Sequence, residues 1–247
     1  MFFHQHDQPG TSSGRALGGC STRTPQDKTR LLITGIGQIA SPVPGDGPVC
    51  GRDQGVLHIV RDAAVLVEDG LIVAAGPAEE VLKMAGDDPG MEVLDAGRRV
   101  AVPGFVDPHT HLVFEGLRTL EFEQRIQGRD YLEILRSGGG ILSTVERTRK
   151  ASPEKLYRNA LGFARAMAAA GTVLVEVKSG YGLDTENEIK ILEVVRKLSM
   201  GPGPDFVATF MGAHAVPAEY AGETEKYVEY VVTQMLPAVA ARRLAEF

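Results

Sequence analysis

The sequence predicts an α/β protein in which a small β-rich unit precedes an incomplete (β/α)8 barrel. Short apolar strands joined by a tight turn fill residues 30–102. From residue 103 onward the pattern alternates strand, loop and helix, as βα units on a parallel sheet do. Residues 103–247 also fall short of the ~200 or more residues that a closed barrel takes, so the barrel cannot close within this chain.

In order along the chain, residues 1–29 are rich in Gly, Ser, Thr, Gln and Pro without periodicity and read as a disordered leader. Strands are expected at Leu31–Ile36, Val56–Val60, Ala64–Val67 and Leu71–Gly76, the last two joined at Glu68-Asp69-Gly70, where Asp-Gly supplies the positive-φ pair of a hairpin. A short helix follows over Pro77–Ala85. Glu92–Asp95 then leads into a strand from Val102 to His111. Three βα units are expected. The first continues from that strand into a long helical region holding Tyr131–Leu135, a Gly138–Gly140 break and a helix opened by Ser152-Pro153, an N-cap with proline at the first helical position. The second runs Thr172–Val177, a loop Lys178–Leu183 and a helix carrying a capping box Thr185-x-x-Glu188. The third runs Phe206–Phe210, a loop Met211–Pro217 and an amphipathic helix around Tyr227–Leu236. Arg243–Phe247 reads as the start of a fourth strand.

The chain has 247 residues, 43% of them hydrophobic and 23% charged, with a formal net charge of -6. An acidic balance without a Lys/Arg block excludes nucleic acid or an anionic membrane as the main partner and points to a small molecule. Cys20 and Cys50 form no metal knuckle and no disulfide framework, so a reducing cytoplasm is the default expectation. No run approaches the ~20 apolar residues that span a bilayer.

Chemistry concentrates at His109-Thr110-His111, at the end of an apolar strand and prefaced by Asp107-Pro108. Residues two apart on a strand end point to the same side, so two imidazoles can reach one cation at ~2.0–2.1 Å. His4-x-His6 has the same spacing but no strand beneath it. Arg118 lies in the following loop, where a guanidinium can grip a carboxylate, although Glu115, Glu121 and Glu123 nearby also suit a plain surface charge. Tyr181 sits in a Gly-flanked loop and reads equally well as a packed turn residue. His214, in the loop after the third strand, could polarise a carbonyl or simply hydrogen-bond its loop. Lys178 reads as one half of a structural ion pair.

Val102-Pro-Gly-Phe-Val-Asp-Pro-His-Thr-His111, Glu176-Val-Lys-Ser-Gly-Tyr-Gly-Leu-Asp184 and Met211-Gly-Ala-His-Ala-Val-Pro217 together resemble the successive signatures of the imidazolonepropionase family, in the amidohydrolase superfamily. The similarity runs from about Leu66 to Phe247, and the middle motif is the most specific. The resemblance implies a metal-dependent hydrolase of histidine degradation that opens the ring of 4-imidazolone-5-propanoate to N-formimidoyl-L-glutamate. It makes residues 30–102 the first part of a composite β-sandwich and residues 103–247 the N-terminal portion of the barrel. It also makes His109 and His111 ligands of one zinc or iron ion, and Arg118, Tyr181 and His214 substrate contacts, with Tyr131 a weaker one. The remaining ligands and the acid/base residues have no counterpart within residues 1–247, so little activity is expected of this chain alone; a homodimer of the full-length enzyme stays open. Two other readings compete. One is another cyclic amidohydrolase or a deaminase of the superfamily, hydantoinase-like or guanine-deaminase-like; the other is an inactive fragment that only binds or oligomerises.

Overall fold

The structure, a computed structural model, describes residues 29–43, 45, 47–130, 133 and 139–247. The expected leader, His4-x-His6 and Tyr131 lie outside the described residues. The chain divides into two compact units, Met1–Pro103 and Gly104–Phe247.

Among the described residues the first unit is one mixed sheet, one α-helix and a short 3-10 turn at Gly51–Gly55: β1 (Arg30–Pro42), β2 (Leu57–Glu68), β3 (Leu71–Pro77), α1 (Ala78–Ala85), β4 (Glu92–Asp95) and β5 (Val100–Ala101). The strands lie in the order β3-β2-β1-β4, with β5 also paired to β1. The two strands expected at 56–60 and 64–67 are a single strand, because β1 is long enough to pair with β2 all the way from Pro42↔Leu57 to Arg30↔Glu68. The hairpin turn forms as its residues demand, with Asp69 at φ 51° and Gly70 at φ 82°. β1 shifts register between Ile33 and Ile36, where Gly35 adopts φ 63°; a Cβ there would meet Asp95 Oδ1 at 2.0 Å. Leu32, Ala64 and Leu66 of the sheet close over Val81 and Ala85, which lie four apart on one face of α1.

The second unit carries β6 (Phe105–Thr110), α2 (Thr119–Ile126), α3 (Ile141–Lys150), α4 (Pro153–Ala169), β7 (Thr172–Lys178), α5 (Thr185–Leu198), β8 (Asp205–Thr209), α6 (Thr224–Tyr230) and α7 (Leu236–Arg242). A π turn, Val231–Met235, joins the last two, so the amphipathic helix expected around 227–236 is continuous but locally widened. Its three strands are all parallel, in the order β6-β7-β8. The strand expected from Val102 to His111 is shorter at both ends. Val100 and Ala101 pair with β1 in the first unit, Val102–Gly104 are irregular, and β6 begins at Phe105.

Alternation along β7 explains the layers. Val175 and Val177 are buried against Leu156, Ala160 and Ala164 of α4 and Ile191, Leu192, Val195 and Leu198 of α5, while Glu176 and Lys178 take the other face. Each large apolar side chain so buried contributes ~1.5–3 kcal/mol relative to exposure. α4 starts as expected, the Ser152 hydroxyl accepting from the Lys155 N–H at 3.3 Å with Pro153 behind it. The expected Thr185-x-x-Glu188 capping box does not form. Asp184 is the N-cap and accepts from the Asn187 N–H at 2.8 Å, while Glu188 turns inward to the preceding loop. After α7, Arg243 adopts φ 50° and the chain falls in beside β8: the Glu246 N–H donates to Ala208 O at 2.9 Å and the Phe210 N–H to Phe247 O at 2.7 Å. A fourth strand would begin in this way. Among the described residues no helix is long and apolar enough to cross a membrane.

Candidate active site

The expected site residues of the second unit converge at the carboxyl ends of β6, β7 and β8. His109, one residue before the end of β6, is exposed, and its N–H donates to Asp107 Oδ1 at 3.3 Å. His111 follows two residues later. Both of its ring nitrogens are buried and, among the described residues, neither has a hydrogen-bond partner. Burial above all, helped by nearby His214, pushes its imidazole down to about 4, so the ring is neutral near pH 7. A neutral imidazole whose nitrogens are shielded from water and unpartnered has the lone pair that metal coordination requires. The His109 and His111 ring centroids are 5.8 Å apart. One nitrogen from each ring at ~2.0–2.1 Å from a tetrahedral ion puts the centroids roughly 5–6 Å apart, so the pair fits a shared cation. Among the described residues no group of three or more His, Cys, Asp or Glu could hold a metal.

Lys178, at the end of β7, pairs with Glu176 on the same face of the strand, and the Thr209 hydroxyl of β8 donates to that carboxylate at 2.6 Å. These two partners hold the Glu176 carboxyl below its usual range.

Tyr181 stands in the loop after β7, and the buried Glu188 carboxylate shapes that loop. Its Oε1 accepts the Gly182 N–H at 2.7 Å and the Leu183 N–H at 2.8 Å, and the Gly180 N–H reaches both oxygens at 3.0 and 3.1 Å. Burial pushes the Glu188 carboxyl up while the Ser179 hydroxyl and then these amides pull it back. Glycine is needed at both flanks of Tyr181. A Cβ on Gly180, at φ 106°, would sit 2.8 Å from His214 Cβ, and one on Gly182 would sit 2.5 Å from the Glu188 nitrogen. The loop after β8 is tied to the first: the Met211 N–H donates to Ser179 Oγ at 2.8 Å, and the Tyr227 hydroxyl to Gly212 O at 2.6 Å. His214 is thereby held with its ring centroid 4.5 Å from that of His111, while Tyr181 lies 4.9 Å from His111. Desolvation, then His109, lowers the His214 imidazole below its ordinary value.

Arg118 precedes α2 and is exposed, and it borders a cavity of about 180 Å³ with His111, Phe114, Gly116, Leu117, Thr144 and Tyr181. Among the described residues none of its three glutamate neighbours in sequence pairs with it. Glu115 pairs with Lys155 at 2.8 Å, Glu121 accepts from the Gly140 N–H at 3.0 Å, and Glu123 from Gln127 at 3.4 Å. His109, His111, Arg118, Tyr181 and His214 are therefore gathered around one place.

Sequence reasoning missed Phe114 and Thr144 in the cavity wall, and Glu188, Ser179 and Tyr227 beneath the loops. Glu188 did give a signal, its spacing from Thr185, but the spacing points equally to a capping box; the others give none in one dimension.

Compared with curated proteins, the chain is 44% identical over 210 residues to an imidazolonepropionase from Desulfotalea psychrophila, covering 85% of this chain and 51% of that one. It is 46% identical over 219 residues to that of Solibacter usitatus (88% and 50%) and 43% identical over 220 residues to that of Clostridium tetani (89% and 52%). No family model matches the chain. Among solved structures, Escherichia coli guanine deaminase is similar at a TM-score of 0.49 and 17% identity, covering 84% of this chain and 43% of that one. N-isopropylammelide isopropylaminohydrolase from Burkholderia multivorans is similar at 0.48 and 19% (86% and 43%). In sequence, therefore, the chain is similar to the imidazolonepropionases, and it spans about half the length of the curated relatives it matches.

Proposed function

We propose that this chain supplies the first part of a metal-dependent cyclic amidohydrolase that opens 4-imidazolone-5-propanoate to N-formimidoyl-L-glutamate. In this reading the parallel β6-β7-β8 sheet is the beginning of a (β/α)8 barrel, and residues 30–102 are part of a β-sandwich. The observation that carries it is His111, half-buried with both ring nitrogens shielded and unpartnered beside His109, at the meeting point of three strand ends. His109 and His111 would hold one zinc or iron ion, with further ligands from outside these residues. When bound, such an ion supplies Lewis acidity and lowers the pKa of the attacking water toward ~7.

The remaining roles fall to groups of known geometry. Arg118, a cation without a carboxylate partner among the described residues, takes the propanoate. Tyr181, held by the Glu188-clamped loop, lies against the flat ring. His214, 4.5 Å from His111 between centroids, donates a hydrogen bond from a ring N–H to the ring oxygen as negative charge grows there. Phe114 and Leu117 give the pocket an apolar wall for the two-carbon stem. The ring C–N bond breaks as water adds to the amide-like carbon, and the departing nitrogen takes up a proton. A reducing, cytoplasmic setting suits the exposed thiol of Cys50.

The test is substrate competition in a polypeptide that carries this sequence at the relatives' full length. Imidazolone propanoate should be consumed with release of N-formimidoyl-L-glutamate, and hydantoin and guanine should be left intact. Turnover of guanine alone would sink the assignment.

A further inference from the structure

We propose that the Thr144 hydroxyl donates a hydrogen bond to the carboxylate of the small acid that Arg118 receives; this assignment rests on the carboxylate-pocket reading above. Among the described residues only three buried side-chain atoms lack a hydrogen-bond partner: the two ring nitrogens of His111 and Oγ1 of Thr144. Both residues border the same cavity of about 180 Å³. Thr144 is 2% exposed. Buried hydroxyls are nearly always satisfied, so two such residues on one small cavity point to a polar occupant rather than to chance.

Helix α3 supplies its own comparison. Thr148 lies four residues beyond Thr144, on the same face, and its hydroxyl accepts the Glu115 N–H at 3.1 Å. That bond fixes the loop leading to Arg118. One threonine of this face thus builds the pocket wall, and its neighbour one turn earlier borders the cavity with nothing to bond. The rest of the lining says what fits. Phe114 and Leu117 are apolar, Arg118 offers a guanidinium, and Tyr181 closes the side toward His111. A carboxylate on a short apolar stem matches that surface. Its two oxygens present about four acceptor sites, so a guanidinium fork leaves room for a hydroxyl donor.

The test uses the 247-residue chain, titrated calorimetrically with imidazole-4-propanoate and with 4-propylimidazole, which lacks the carboxylate. Melting curves are recorded without ligand. Thr144→Val removes the hydroxyl while keeping shape and nearly the same helix propensity; Thr144→Ser keeps the hydroxyl. Thr144→Val should melt at the same temperature or higher, because an unpaired buried hydroxyl only burdens the unliganded protein. It should bind the acid roughly tenfold or more weakly and the alkylimidazole unchanged, and Thr144→Ser should bind the acid as the parent does. Unaltered acid affinity in Thr144→Val, equal weakening of both probes, or a melting point several degrees lower would each overturn the assignment. If the parent chain binds the acid no better than 4-propylimidazole, the carboxylate pocket itself fails. That result is distinct from a pocket that holds while Thr144→Val is silent.

Discussion

A single charge shows how a residue's surroundings decide its meaning. Arg118 stands among three glutamates in sequence, the pattern of an ordinary solvated surface, yet Glu115, Glu121 and Glu123 each bond elsewhere. Its guanidinium is left to the cavity beside His111. Arg118→Ala should therefore cost the chain little stability, within about 0.5 kcal/mol for an exposed side chain. It should still weaken imidazole-4-propanoate binding by roughly 10–100-fold, as loss of a hydrogen bond to a charged group does. Arg118→Lys should recover only part of that affinity, because an ammonium lacks the bidentate fork. Calorimetric titration of the two variants checks this, and equal affinity in Arg118→Ala would return Arg118 to the solvated surface. That the His109 and His111 rings lie close together was legible, because a two-residue spacing at a strand end is itself the geometry. Arg118 was only half legible, since Glu115 and Glu121 find their partners at Lys155 of α4 and at Gly140 before α3, where no sequence spacing reaches; only Glu123 bonds locally, to Gln127. Thr144 was illegible, because an unbonded hydroxyl is visible only once every neighbour is in place.

At the scale of elements, the loops rather than the strands hold the site, and buried polar groups hold the loops. The order strand, loop, helix could be read from the pattern of apolar runs, and Ser152-Pro153 opened α4 where it was expected. Thr185-x-x-Glu188 misled because a helix start one residue earlier, at Asp184, leaves Glu188 free to turn to the Gly180–Leu183 amides. Local spacing is the same in both cases, and only the approach of the loop decides between them. Glu188→Ala would leave the Gly180, Gly182 and Leu183 N–H groups buried without an acceptor. At ~1–3 kcal/mol for each orphaned donor the second unit should lose about 3 kcal/mol or more. Glu188→Gln, which keeps one carbonyl oxygen for those amides, should lose distinctly less. Urea unfolding of both variants tests this, with the fall in midpoint read at constant slope. Equal loss in the two would mean that charge, not acceptor geometry, holds the Tyr181 loop.

For the whole molecule, length alone led to the expectation of a barrel that cannot close; among the described residues the second unit holds an open parallel sheet of three strands, with β6 at an edge. The physical consequence lies in what the edge exposes. Phe105 and Val106 of β6 and Val173 of β7 are all more than half exposed, although aromatic and β-branched residues of parallel strands are ordinarily covered on both faces. The chain spans about half the length of its relatives, so this surface is presented by these residues when they stand alone. Unpaired N–H and C=O groups beside such side chains form a template for pairing with another chain. The isolated 247-residue chain should therefore bind a hydrophobic dye and self-associate as its concentration rises. Val106→Lys should reduce both, because a charge on an edge strand opposes further pairing, and it should leave the helix–sheet core around Val175 and Leu192 intact. Sedimentation velocity across a concentration series decides the matter. A chain that stays monomeric, or a Val106→Lys variant that associates as strongly as the parent, would show that the β6 edge is not what drives association.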